Sequence, residues 1–207
     1  MKISPLHFFI DFEFTMSENR STPKNFFPEI IEAGIVIVEK DKIINQFSTY
    51  IRPKAFPTLT NRCKSFLNIS QKKVQDGASF KELIHIFNTY NVQERGIVVT
   101  WGNMDMKVLK HNCEYQGIAF PTPYKHVDLS LEYKKFFGDQ NQTGLWKAVQ
   151  EYGKEGTGKH HRALDDALTT YNIFRLVEKD KRYLAKPMPT TIGERIDLTK
   201  ILNKYAL

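Results

Sequence analysis

At 207 residues the chain is long enough to bury one well-formed core, and nothing in its length calls for two. With 41% hydrophobic, 13% aromatic and 26% charged residues, it falls outside the disordered and fibrous classes. A formal net charge of +7 and a pI near 9.3 permit a polyanionic partner without requiring one.

The first element is the run Phe8-Phe9-Ile10-Asp11-Phe12-Glu13-Phe14, in which two acids interrupt large hydrophobes. Alternation along a strand puts Phe8, Ile10, Phe12 and Phe14 on one face and Asp11 and Glu13 on the other, about 7 Å apart. Two carboxylates built into an apolar strand call for compensating cations or hydrogen bonds, and a divalent metal is the simplest candidate. The plainer reading is a solvated strand end, or a bridge to Lys or Arg. A turn-rich loop over Met16–Pro28 leads to a β-branched strand over Ile30–Val38, the polar turn Lys40-Asp41-Lys42 and a third strand over Ile43–Arg52. Residues 7–52 thus read as an antiparallel meander, ended by Pro53 and Pro57.

Leu59, Cys63, Phe66 and Leu67 recur at intervals of three and four, a short helical pattern within residues 59–76 that Gly77 breaks. Ser79 and Glu82 form a capping-box pair for a helix running to about Glu94, with Phe80, Leu83, Ile84 and Phe87 as its apolar stripe and Gly96 as its stop. A buried strand is predicted over Ile97–Trp101, then a helix over Asp105–Tyr115 with Met106, Leu109 and Cys113 inward. Another strand is expected at Lys125–Asp128, with helices near Leu129–Phe137 and Thr143–Tyr152. The Gly-Lys-rich loop Gly153–Lys159 leads into a last long helix over about Arg162–Lys179. This order predicts an α/β fold with a mixed sheet, part antiparallel and part parallel. Beyond Asp180, Leu198, Ile201, Leu202 and Tyr205 stand at helical spacing, an extension expected to pack on the domain.

Cys63 and Cys113 show no paired-cysteine spacing, so free thiols in a reducing compartment are expected rather than disulfides or structural zinc. Asp11 and Glu13 cut short the apolar run that a signal peptide needs, and no run approaches the roughly 20 apolar residues of a membrane helix. A cytoplasmic protein with no membrane partner is expected.

Later segments supply further acids. The strand ending at Trp101 is followed by Gly-Asn-Met-Asp, which puts Asp105 in the first turn of the next helix, at a strand C-terminal end where ligands gather in open α/β sheets. Asn103 or Asp105 as a helix cap is the competing reading. The last helix opens on His160-His161-Arg162-Ala163-Leu164-Asp165-Asp166. This fits a loop-to-helix corner aimed at one site, although acids in a first turn also suit the helix dipole. The helical wheel does not separate Asp165 from Asp166.

The set Asp11-x-Glu13, Trp101-Gly-x-x-Asp105 and His161 with Asp166 five residues on resembles the DEDDh group of 3′–5′ exonucleases, which have a ribonuclease H-like fold. The likeness covers residues 7–180 in order, and its spacing selects Asp166 over Asp165 and His161 over His160. Ile10-Asp-Phe-Glu-Phe-Thr15, Pro28-Glu-Ile-Ile-Glu-Ala-Gly34, Arg52-Pro53 and His161-Arg-Ala-Leu-Asp-Asp-Ala167 are similar to the branch of histone-mRNA and small-RNA exonucleases. The resemblance implies a catalytic domain over 1–180 with an extension over 181–207, and five catalytic residues, Asp11, Glu13, Asp105, His161 and Asp166. It implies two divalent ions, Mg²⁺ or Mn²⁺. Asp11 is expected to bridge both, Glu13 and Asp166 to complete the first, and Asp105 to hold the second, with His161 as general base.

The implied substrate is single-stranded RNA, or DNA, with a free 3′ end. Phe14, Thr15, Trp101 and Met104 are candidates to touch its terminal nucleotides, and Arg20, Lys24, Lys159 and Arg162 its phosphates. A bacterial member of the branch is described as an inhibitor of a sporulation kinase pathway. The resemblance therefore also admits a protein partner in sporulation signalling, and a regulatory binding module is the alternative class to an RNA- or DNA-trimming enzyme.

Overall fold

The computed structural model describes residues 4–18 and 24–185. Its five strands are β1 (Leu6–Phe14), β2 (Ile30–Glu39), β3 (Lys42–Tyr50), β4 (Gly96–Thr100) and β5 (Lys125–Asp128), in the spatial order β3-β2-β1-β4-β5. β1, β2 and β3 pair antiparallel, while β1–β4 and β4–β5 are parallel. The expected mixed α/β sheet is therefore present, with the acid-bearing strand at its centre. Helices α1 (Asn61–Leu67), α2 (Gln71–Gln75), α3 (Phe80–Thr89), α4 (Val92–Arg95), α5 (Met104–Gln116), α6 (Leu129–Phe137), α7 (Leu145–Glu151) and α8 (Ala163–Leu184) complete it.

Leu6, Phe8, Ile10 and Phe12 of β1 are buried in one core with Phe80, Leu83, Ile84 and Phe87 of α3 and Val108, Leu109 and Cys113 of α5. Side chains of the intervening residues face the opposite way, where Phe9 meets Tyr171 and Phe174 of α8 at ring separations of 5.0 and 5.2 Å. Covering both faces of a sheet favours a central strand with little alternation in burial, and β2 is buried along nine of its ten positions. A smaller core joins Ile31 to Leu59, Cys63 and Leu67 of the α1 segment and to Ile69 and Val74 around α2.

Two local details depart from the sequence expectation. The helix opened by the Ser79–Glu82 capping box stops at Thr89, because Asn91 takes a left-handed conformation (φ 51°) before the single turn of α4. Asn tolerates that region better than most residues. On α5, Val108 and Asn112 join Leu109 and Cys113 in burial, whereas Met106 is only half-buried. The described residues divide into two compact units. The first ends at Phe174; the second begins at Arg175 and contains the last turns of α8, where Lys181 pairs with Glu178 at 3.0 Å. The helical spacing at Leu198–Tyr205 lies outside the described residues.

Close approach between β2 and α8 depends on a glycine. A Cβ at Gly34, the residue opposite Asp11, would lie 2.1–2.2 Å from the backbone of Ala163 and Leu164. Backbone cannot yield as a flexible side chain does. Gly34→Ala is expected to lower the unfolding free energy by about 3 kcal/mol in a denaturant titration; an unchanged midpoint would mean that α8 retreats freely.

Candidate active site

Three segments converge where β1 ends. Asp11 and Glu13 project from β1 on the face covered by α8, and Asp166 reaches them from the first turn of α8, which lies directly on Gly34. Carboxylate oxygens of Asp11, Glu13 and Asp166 lie within 4.8 Å of one another, the spacing of a metal-ligand set. Asp105 enters from the first turn of α5 and lines the same pocket. Its Oδ1 accepts a 3.0 Å hydrogen bond from the Phe12 N–H. The parallel ladder between β1 and β4 runs only to Phe9 and Val99, so the Phe12 amide lies beyond it and is satisfied by this carboxylate instead. Asn103 precedes the helix without a side-chain cap, and Asp105 acts across the sheet rather than as a simple helix cap.

His161 turns the chain into α8. It adopts φ 61°, unusual for a residue with a side chain. Its ring stacks on His160 at 3.9 Å and meets Phe66 of α1 at 4.5 Å. The pocket these groups enclose measures about 330 Å³ and is also walled by Phe14, Leu67, Trp101, Leu145 and Trp146.

The electrostatics follow from crowding buried acids. Burial first, then the neighbouring Asp105, Asp166, Glu13 and Glu32, pushes Asp11 well above the usual carboxylate range. Burial and the Asp166 and Glu32 charges raise Glu13 to about 8. Burial raises Asp105 to about 7 against the opposing Phe12 amide, and raises Asp166 against the Trp146 indole. That indole Nε1–H donates to Asp166 Oδ1 at 2.6 Å. Burial and the His160 ring press His161 below its ordinary value, so its imidazole is neutral at pH 7. Three buried acids and a half-buried Asp11 that all resist ionisation form a donor set suited to divalent cations, which would hold them charged.

The other candidates are divided. Phe14 and Trp101 line the pocket, and the Trp101 Nε1–H is anchored on the Thr143 carbonyl at 2.9 Å. Met104 is half exposed and does not line it. Thr15 belongs to the frame instead: it is buried, its N–H donates to the Glu29 carbonyl and its Oγ1 accepts from the Glu29 N–H at 2.9 Å. Glu29 in turn accepts from the backbone amides of Lys54, Ala55 and Phe56, tying the end of β1 to the loop after β3. Arg162 is occupied by Glu32 at 2.8 Å; Lys24 and Lys159 are exposed, and Arg20 lies outside the described residues. Sequence reasoning missed Trp146 and Phe66, and passed over His160, which is exposed yet also lines the pocket. Trp146 carried a usable signal, since it falls off the buried stripe of Leu145, Ala148 and Val149 on α7.

Residues 8–174 match the family described as Exonuclease, RNase T. The chain belongs to the RNase T exonuclease family. It is 59% identical over 195 residues to the protein named Probable 3′-5′ exonuclease KapD of Bacillus subtilis (strain 168), covering 94% of this chain and 95% of that one. It is 30% identical to ERI1 exoribonuclease 2 of Xenopus laevis over 79% of this chain, which spans 27% of that longer protein. The solved nuclease domain of 3′hExo, a DEDDh family member bound to rAMP, superposes with a TM-score of 0.75 at 26% identity, covering 86% of this chain and 94% of that domain. These similarities make the RNase T family member a 3′–5′ exonuclease-type hydrolase with a ribonuclease H-like fold.

The pKa directions carry a test. Both Glu13 and Asp105 are raised in the fold, so each contributes stability that is complete below its unfolded value and is lost as pH rises towards about 8 and about 7, respectively. Cation-free protein is expected to melt at a lower temperature at pH 8 than at pH 6. Mg²⁺ or Mn²⁺ competes with those protons, so it should raise the melting temperature more at the higher pH. In Glu13→Gln this pH dependence of the metal effect should shrink. Calorimetry showing no metal effect at pH 8 would count against a cation site.

Proposed function

We propose that this protein is a metal-dependent exonuclease that hydrolyses single-stranded RNA from its 3′ end and releases nucleoside 5′-monophosphates in the cytoplasm. One observation carries the reading: Asp11, Glu13 and Asp166 offer oxygens within 4.8 Å of one another, and Asp105 and His161 line the same pocket. The donor set suits two Mg²⁺ or Mn²⁺ ions, which Asp11, Glu13, Asp166 and Asp105 would hold between them, Asp105 with the oxygen that Phe12 leaves free. When bound, such ions neutralise the scissile phosphate and the leaving 3′ oxygen and make water a better nucleophile at neutral pH.

The remaining work falls to side chains. Neutral His161 has a lone pair to take the proton from the attacking water, whose oxygen forms a new bond to phosphorus as the bond to the 3′ oxygen breaks. Phe66 and His160 hold the imidazole between rings, limiting its swing. Phe14 and Trp101 offer apolar faces for the terminal base, and the Thr143 anchor fixes the indole plane. RNA is favoured over DNA by the exoribonuclease name of the Xenopus relative. Buried, unpaired Cys63 and Cys113 accord with a reducing compartment. The motif residues all fall within the 1–180 catalytic domain, leaving 181–207 as an extension.

With Mn²⁺, degradation of matched single-stranded RNA and DNA should favour RNA, read as mononucleotides released from the labelled 3′ end. His161→Ala should slow turnover by roughly 10²- to 10⁴-fold with the fold intact. Asp11→Asn should abolish cleavage, and activity retained there would end the two-ion scheme.

A further inference from the structure

On the exonuclease reading the pocket receives the 3′ end of the substrate, and the row of strand ends that borders it continues to β3. Glu13 on β1 stands opposite Glu32 on β2, and Glu32 opposite Tyr50 on β3. With neighbouring strands about 4.8 Å apart, Tyr50 lies roughly 10 Å from Glu13 along this row. Past Tyr50 opens a second cavity of about 460 Å³, bordered by Ser48, Tyr50, Ser70, Lys72 and Lys73, with Asp76 as its one acidic neighbour. The α1–α2 segment borders both cavities: Phe66 and Leu67 wall the catalytic pocket, and Ser70, Lys72 and Lys73 wall the second.

Tyr50 divides the two. Its ring has Lys73 Nζ at 5.3 Å and Arg162 Cζ at 5.2 Å from the centroid, and its hydroxyl is bonded to the Arg162 guanidinium, one residue from His161. Arg162 is already committed to Glu32 at 2.8 Å. Lys72 and Lys73 are exposed, and neither ammonium pairs with a carboxylate among the described residues. The second cavity therefore presents two positive charges without a salt-bridge partner among the described residues, beside the hydroxyls of Ser48 and Ser70; Lys73 leans on the Tyr50 ring and adds its field to Glu32, while Lys72 has neither contact.

We propose that this cavity is a phosphodiester subsite for the substrate strand on the 5′ side of the bond being cut, with Lys72 and Lys73 as its phosphate contacts. The proposal rests on the exonuclease reading above and extends it along the strand. Lysines read phosphate charge rather than base edges, so the subsite holds a strand in register without selecting its sequence. It also makes affinity depend on length: a substrate too short to reach past Tyr50 gains nothing from it.

The test compares wild-type protein with Lys72→Glu/Lys73→Glu, in two arms. With Mn²⁺, turnover is measured on the p-nitrophenyl ester of thymidine 5′-monophosphate and on a single-stranded RNA of about a dozen nucleotides. In EDTA, binding of the same labelled RNA is followed by fluorescence anisotropy at several salt concentrations. The variant should turn over the ester as the wild type does. On the RNA its KM should rise about tenfold or more with little change in kcat, and the salt slope of binding should flatten by roughly 1.4, two single-strand phosphate contacts.

Wild-type RNA affinity and an unchanged salt slope in the variant would overturn the subsite, and would leave the cavity to some other acidic partner. Equal losses on ester and RNA would overturn it as well, by showing damage to the catalytic pocket. If wild-type protein cleaves neither substrate while the lysines still govern RNA binding, the exonuclease reading fails and, with no bond cut, the subsite as placed here fails with it, leaving a phosphate-binding cavity.

Discussion

Mutual repulsion among crowded carboxylates, three buried and one half-buried, is the constraint on which this structure turns. Asp11, Glu13, Asp105 and Asp166 are drawn together at one end of the central strand, with Glu32 close enough to add its own field to Asp11 and Glu13. Packing such acids under a helix is unfavourable unless something returns the lost solvation. The protein supplies part of this itself: the Phe12 amide on Asp105, the Trp146 indole on Asp166 and the Arg162 guanidinium on Glu32. Asp11, the acid with the most acidic neighbours raising it, receives the least help, and it stands where bound cations would do most.

Holding those acids in place falls to apolar packing and to one missing side chain. Phe9 anchors α8 through Tyr171 and Phe174, while the absent Cβ of Gly34 lets the start of that helix lie against β2. On the other side of β1, Asn112 of α5 reaches the start of β2, its Oδ1 accepting from the Ile30 N–H and its Nδ2 donating to the Pro28 carbonyl, both at 2.9 Å. The same helix delivers Asp105. Rigid elements on both faces of the sheet therefore carry the acids, and their separation is set by core contacts that the carboxylates do not themselves make.

The strands were legible because β-branched and aromatic runs between turn residues have few other readings, and the acid pair on β1 followed from alternation alone. The corner before α8 was not legible that way. On a helical wheel Asp165 and Asp166 are equivalent flanks, and only the loop separates them: Asp165 accepts the Lys159 N–H at 2.8 Å and lies against Gly158, leaving Asp166 to face the pocket. Thr15, adjacent in sequence to the acids, turned out to serve the Glu29 clasp, a contact across fourteen residues that no local pattern encodes. Phe66 was hidden for the same reason, and Trp146 showed only as an aromatic off the apolar stripe of its helix. Each lies far along the chain from the acids, and an aromatic on a helix is more often core than pocket wall.

Glu32 shows how charge compensation and chain geometry share one contact. It is buried, opposite both Glu13 and Tyr50, with one oxygen on Arg162 and the other unpartnered, and burial still lifts it to about 7 against that guanidinium. Without Arg162 this acid would stay protonated and lose its hold on the chain before α8. Arg162 directly follows His161, whose left-handed backbone has no intrinsic preference to stay as it is. Fastened to Glu32 on one side and to the Tyr50 hydroxyl on the other, Arg162 leaves the preceding residue little freedom to relax. The ion pair that makes buried Glu32 tolerable therefore also fastens the residue next to His161, whose ring lines the same pocket as the other four acids.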